Sequence, residues 1–208
     1  MKKIMIFTMI LSFVFIGTIS AQGMGYGVKG GLNMAKFTGD DADFEGIADP
    51  GFVLGPTIGG FATFNLGDML AIQPEVLYTK KGSSYELSEE GFDLNMDFSM
   101  NWLEIPVLAV VNIQDKIKIF AGPYLDLFLS GTIDMEMAFG GESESDSEDI
   151  ESDDVTSPGF GFIFGGTFML GDNLGIEARY SHGLTSMDEE DDLKNSGIQV
   201  LVNYYLKK

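Results

Sequence analysis

The sequence predicts an all-β fold: an eight-stranded antiparallel up-and-down transmembrane β-barrel. Three observations predict it. Apolar and polar residues alternate with period two in eight segments of about ten or more residues. The connections between those segments alternate between short turns and long acidic loops. The chain also combines a net charge of −20 with 45% hydrophobic residues, including 17 Phe, and 27 Gly. Acidic disordered chains lack such aromatics, so charge and grease must be segregated along the chain.

The N-terminus is read first, because it is expected to be removed. Lys2 and Lys3 precede an apolar run from Ile4 to Ile16, and Gly17-Thr18-Ile19-Ser20-Ala21 leads into Gln22. This is the layout of a Sec signal peptide over 1–21, cleaved after Ala21. The run is short of the roughly 20 residues a membrane helix needs. The mature domain is then 22–208. It loses two of the 12 basic residues and none of the 32 acidic ones. Such a balance disfavours a nucleic-acid partner, which requires clustered Lys and Arg. With no cysteine, disulfides and thiolate chemistry are excluded.

The strands follow in order. Tyr26, Val28, Leu32 and Met34 share a face against Lys29 and Asn33. Over 51–65, Phe52, Leu54, Ile58, Ala62 and Phe64 oppose Gly55, Thr57, Gly59 and Thr63. Over 69–80, Leu70, Ile72, Pro74, Val76 and Tyr78 oppose Gln73 and Glu75. Over 100–111, Leu103, Ile105, Val107, Ala109 and Val111 oppose Trp102 and Glu104. The segment 116–130 sets Ile117, Ile119, Ala121, Leu125, Leu127 and Leu129 against Lys118, Phe120, Tyr124 and Asp126. Over 159–170 a Phe-rich face opposes glycines and Thr167, over 174–184 Ile176, Ala178 and Tyr180 oppose Glu177 and Arg179, and over 196–206 Ile198, Val200, Val202 and Tyr204 oppose Gln199 and Asn203. Most segments reach the 9–11 residues, roughly, with which a tilted strand crosses a bilayer.

Short turns fall at 66–68, 112–115 and 171–173, and long loops at 36–50, 81–99, 131–158 and 185–195. Short turns on one rim and long loops on the other are the asymmetry of outer-membrane barrels. Eight strands enclose a lumen just wide enough for side chains. The large apolar face is therefore assigned to lipid, with Tyr26, Tyr78, Phe160, Tyr180 and Tyr204 as interfacial aromatics. Lys29, Glu75, Glu104, Lys118, Asp126, Glu177 and Arg179 are expected to point inward as a charge network, because buried charges of opposite sign must pair.

Several short motifs then carry a resemblance. They are Val28-Lys29-Gly30-Gly31-Leu32-Asn33, the run from Gln73 to Gly82 (QPEVLYTKKG), Leu103-Glu104-Ile105-Pro106, Ala121-Gly122-Pro123-Tyr124, and the run from Ala178 to Leu184 (ARYSHGL). In these the chain resembles the PorT-like outer-membrane β-barrel family of Bacteroidetes-type porins. The resemblance implies an eight-stranded barrel in the outer membrane of a diderm bacterium and no set activity, although some relatives serve a protein-secretion complex. The chain departs from the usual aromatic C-terminal residue, ending in Tyr204-Tyr205-Leu206-Lys207-Lys208.

No catalytic constellation emerges. Ser181 and His182 are adjacent on a strand and point to opposite faces, and the lumen carboxylates are explained by pairing. No cofactor is expected. The acidic loops are the stronger lead: Glu142, Glu144, Asp146, Glu148, Asp149, Glu151, Asp153 and Asp154, then 188–192, then Asp40, Asp41, Asp43 and Glu45. The first run is expected to be a solvated, self-repelling loop, and the alternative is weak binding of a divalent cation. The expected role is a non-enzymatic, plugged barrel with acidic external loops. Its partners would be outer-membrane lipid and other envelope proteins or glycans. A secretion accessory or a narrow porin for small solutes is the alternative.

Overall fold

The computed structural model describes residues 24–43, 48–89, 91–114, 116–140, 142–187 and 192–207. The expected signal peptide lies outside them. The strands are β1 (Met24–Thr38), β2 (Gly51–Asn65), β3 (Leu70–Glu89), β4 (Phe92–Gln114), β5 (Ile117–Phe139), β6 (Glu142–Ile150), β7 (Gly159–Met169), β8 (Leu174–Gly183) and β9 (Lys194–Lys207). All pairings are antiparallel. β1 pairs with both β2 and β9, and β4 pairs with β5, so eight strands close a ring and β6 hangs on the outer half of β5. Closure matters because lipid cannot satisfy the N–H and C=O groups of an open edge.

Around the ring the polarity is that of a membrane barrel. Val28, Leu32, Ile58, Val76, Phe160, Phe164, Phe168, Val200 and Val202 are exposed on the outside, while Lys29, Glu75, Glu104, Glu177 and Arg179 are buried inside. Among the described residues no helix is long and apolar enough to cross a membrane; strands make the crossing. The turns at one rim are tight, with Leu66 N–H donating to Leu70 O at 2.8 Å and Leu170 N–H to Leu174 O at 2.9 Å.

At the other rim the structure corrects the loop assignment. Among the described residues, 81–89, 92–99, 131–139 and 142–150 are strand, and 151–158 is irregular. β3 and β4 run on as a hairpin that turns at Gly91 (φ 84°), and β5 and β6 form another turning at Gly140 (φ 62°). Both turns need the left-handed backbone that glycine adopts without penalty. The alternation persists in these stretches, but its sense is reversed. Met96 and Phe98 now face the side that continues the lumen, and Asn95 and Asp97 face outward with Asp134 and Glu136. The reversal coincides with a register shift between Asn101 and Trp102 of β4, where β5 carries an extra residue. An acidic stretch with inverted alternation reads as loop when only membrane polarity is sought.

The change of solvent is marked on the outer wall. Tyr78 Oη donates to Asn101 Oδ1 at 2.6 Å, and Asn101 Nδ2 donates to Ser130 Oγ at 3.0 Å, giving a polar link across β3, β4 and β5. Beyond it, Phe37, Ala42, Ala48, Tyr85, Met100, Trp102 and Met187 form an apolar cluster, joined by Met96, Phe98 and Phe128. Phe37 meets Phe98 edge-on at 5.7 Å, and Trp102 meets Phe128 at 5.3 Å. This cluster roofs the barrel. A smaller one, Phe61, Met169 and Tyr205, floors it.

Candidate functional site

Between floor and roof the lumen is charged. Inward positions follow from parity: on β3 the residues at 73, 75, 77, 79 and 81 share the lumen face, so Gln73, Glu75 and Lys81 lie in one file. Lys29 Nζ on β1 bridges Glu75 at 2.7 Å and Glu177 at 3.0 Å. Arg179 on β8 reaches Glu75 at 2.8 Å, Glu104 at 3.4 Å and Glu177 at 3.6 Å. Lys81 completes the chain, 2.6 Å from Glu104 on β4 and 2.7 Å from Asp126 on β5. Three cations and four carboxylates thus form one continuous network.

Neutral side chains hold its ends. Gln73 Nε2 donates to Glu75 at 2.7 Å, and Gln73 Oε1 accepts from Thr63 of β2 at 3.1 Å. Thr167 of β7 and Asn203 of β9 donate to Glu177 at 3.2 and 2.7 Å, and Arg179 Nε donates to Gln199 at 2.7 Å. Every strand of the ring contributes at least one group. Two rings lie on the cations: Lys29 sits 5.2 Å from the Phe61 centroid and Lys81 4.6 Å from that of Tyr124. Such a network needs all its members, because a carboxylate left alone in a dry lumen carries a large desolvation cost.

The structure brings together six of the seven residues assigned to the interior. The seventh, Lys118, shares the lumen parity of β5 but stands nearer the turn rim, half-buried, donating to Tyr205 Oη at 3.2 Å over the ring of that tyrosine. The third cation is Lys81, assigned to the 81–99 loop from the sequence but only 2% exposed in the structure. Counting by twos from Glu75 lands on it, so the signal was present in the sequence.

Above the network the mouth keeps a cavity of about 20 Å³ lined by Trp102, Tyr124, Asp126 and Asn195 among others, room for one water. Ser181 and His182 are not brought together: Ser181 is buried, whereas His182 Nδ1 shares a 2.7 Å hydrogen bond with Ser196 Oγ and its ring stacks on Tyr180.

The acidic run is mostly strand. Glu142 to Ile150 pairs residue by residue with β5, and Glu151, Asp153 and Asp154 follow in the connection to β7. Alternation along β6 sets Glu142, Glu144, Asp146 and Glu148 on one face and Ser143, Ser145, Ser147 and Asp149 on the other, which spreads the carboxylates instead of converging them. Among the described residues no group of three or more His, Cys, Asp or Glu is arranged to hold a metal ion. Two other acidic loops meet at the rim: Asp192 N–H donates to Asp41 Oδ2 at 2.7 Å and Asp40 N–H to Asp192 Oδ2 at 3.4 Å. The hydrogen bond from Lys194 holds the Asp192 carboxyl below the usual aspartate range. Glu45 and residues 188–191 lie outside the described residues.

The family model described as outer membrane protein beta-barrel domain matches residues 20–189. Among solved structures, Neisserial surface protein A (NspA) is 14% identical, covering 88% of this chain and 99% of that one, with a TM-score of 0.48. Ail, the attachment invasion locus protein of Yersinia pestis, is 13% identical, covering 88% and 98%, with a TM-score of 0.45. CarO2 of Acinetobacter baumannii is 11% identical, covering 86% and 99%, with a TM-score of 0.44. A search of curated proteins finds no match.

Proposed function

The chain belongs to the outer membrane protein beta-barrel domain family, and from that premise we propose that it is a closed, non-enzymatic barrel holding acidic interaction surfaces outside the cell. One observation carries this reading. The ion network from Lys29 to Asp126 crosses the lumen between an apolar floor and an apolar roof. A solute or hydrated ion would have to break pairs that are worth far more in the lumen than in water. The role is then structural or one of surface contact, in outer-membrane lipid, with envelope proteins or glycans as partners and without nucleic acid.

The test is electrical. The purified barrel in a planar bilayer is expected to give no steady conductance, and steady ohmic current from the folded protein would overturn the plugged reading in favour of a narrow pore. The PorT-like motifs support a second reading, as an accessory of a protein-secretion complex. Recovery of secretion components with the tagged barrel from native membranes would support it. Export by the Sec route rests on the Lys2-Lys3 start and the apolar run after it. It predicts a mature N-terminus at Gln22.

A further inference from the structure

The projecting part of the sheet ends in a strand whose far edge is open. β6 pairs with β5 on one side, and among the described residues no strand pairs with its other side. The pairing register builds four rows across the sheet: Phe92, Phe139, Glu142; Leu94, Met137, Glu144; Met96, Met135, Asp146; and Phe98, Ile133, Glu148. Each row runs from apolar residues on β4 and β5 to a carboxylate on β6. Successive rows lie two residues apart, about 6.8 Å along the strand. The other face of β6 carries Ser143, Ser145 and Ser147, with Ser147 Oγ donating to Asp134 at 2.6 Å.

We infer that the open edge of β6 docks a basic polypeptide segment in extended conformation, with Lys or Arg at every second position. The inference rests on the surface-display reading above and names its partner by chemistry. An added strand places its alternate side chains directly beside Glu142, Glu144, Asp146 and Glu148, and the cation spacing of a strand matches theirs. Its intervening residues lie beside small serines. Lys and Arg stems extend toward Met137 and Phe139, which are 43% and 74% exposed. Charge complementarity also rejects the other occupants. A second copy of β6 would set like charges opposite one another, and anionic lipid headgroups would be repelled in the same way.

The experiment uses the whole mature barrel folded in detergent, its folding checked by heat-modifiable gel migration, and fluorescence anisotropy of peptides the length of β6, nine residues. One peptide alternates Lys and Thr, a second has the same composition with its lysines in a block, and two more are the alternating peptide N-methylated at every second amide, one in each phase. The alternating peptide is expected to bind about tenfold or more tightly than the block isomer. Substituting Glu142→Gln, Glu144→Gln, Asp146→Asn and Glu148→Gln together is expected to weaken it about tenfold or more. N-methylation on the pairing edge is expected to abolish binding. Equal affinity for alternating and block peptides, indifference to the fourfold substitution, or retention of binding by both N-methylated phases would each overturn the inference. So would no binding at all, which would leave the carboxylates as a guard against edge-to-edge association. Because each arm starts from barrel that passes the gel test, failure here is separable from failure of the barrel reading.

Discussion

The strands β3, β4 and β5 pass through two solvents, and the apolar side of each changes from outward to inward between them. Within the membrane Leu103, Ile105 and Val107 face out while Trp102, Glu104 and Leu108 face in. Beyond Asn101 the outward residues are Asp97, Asn95 and Asp93, and the inward ones Phe98, Met96 and Leu94. The strand is continuous and the hydrogen-bond ladder barely changes. What changes is which surface must be kept from water. In lipid the apolar side is free to face outward and the polar side must find partners inside. In water the apolar side must be covered, here by Phe37, Tyr85 and Met187 packing across the mouth. The same alternation therefore gives a charged lumen below and an apolar roof above.

The largest effect is expected where the lumen charges are unpaired. Lys29→Met removes the cation shared by Glu75 and Glu177 and leaves two carboxylates with fewer partners in a dry interior. A loss of about 3–5 kcal/mol is expected, read as a lower urea midpoint in vesicles with Trp102 fluorescence and gel migration as probes. An unchanged midpoint would mean that water reaches the network.

A cation placed on the outer wall tests the change of solvent itself. Phe164 lies at the middle of β7 and is exposed on the lipid face, so Phe164→Arg should cost about 2–4 kcal/mol. Asn95→Arg makes an equally outward cation on the projecting part of β4, among Asp97 and Glu136, and should change stability by no more than about 0.5 kcal/mol. Equal costs at the two sites would remove the boundary drawn at Tyr78, Asn101 and Ser130.

The eight ring strands were legible because each alternates over a bilayer's length, and the short turns at 66–68 and 171–173 fixed one rim. The lumen network was mostly legible from parity, as Glu75, Glu104, Glu177 and Arg179 show. Lys81 is hard to place from sequence because the first lysine of QPEVLYTKKG marks where exposed charge would begin in a shorter strand. The projecting hairpins were lost because their alternation is inverted. β6 was not legible at all. ESESDSEDI has almost no apolar residue and low strand propensity, and it is a strand only because β5 presents a ladder to it. That information is tertiary.

The smallest effect belongs to the roof and separates its two contributions. Tyr85 packs between Phe37 and Phe98, at 6.5 and 5.9 Å, and donates its hydroxyl to Ala42 O at 2.8 Å. Tyr85→Phe keeps the ring and removes the hydrogen bond, so a loss of about 0.5–1.5 kcal/mol is expected. The phenol's pKa is raised above its usual 10.0, chiefly by burial, with Asp43 adding to it and Ser83 opposing. A raised value in the folded state means that the stabilisation is fully present below pH 10 and is lost as pH climbs through the folded pKa. The wild-type roof should therefore loosen at alkaline pH, seen as faster protease nicking of the 39–50 connection, and Tyr85→Phe should flatten that dependence. If both proteins respond alike, the roof is held by the packing of Phe37, Phe98 and Trp102 alone, and the apolar half of the comparison owes nothing to the hydroxyl.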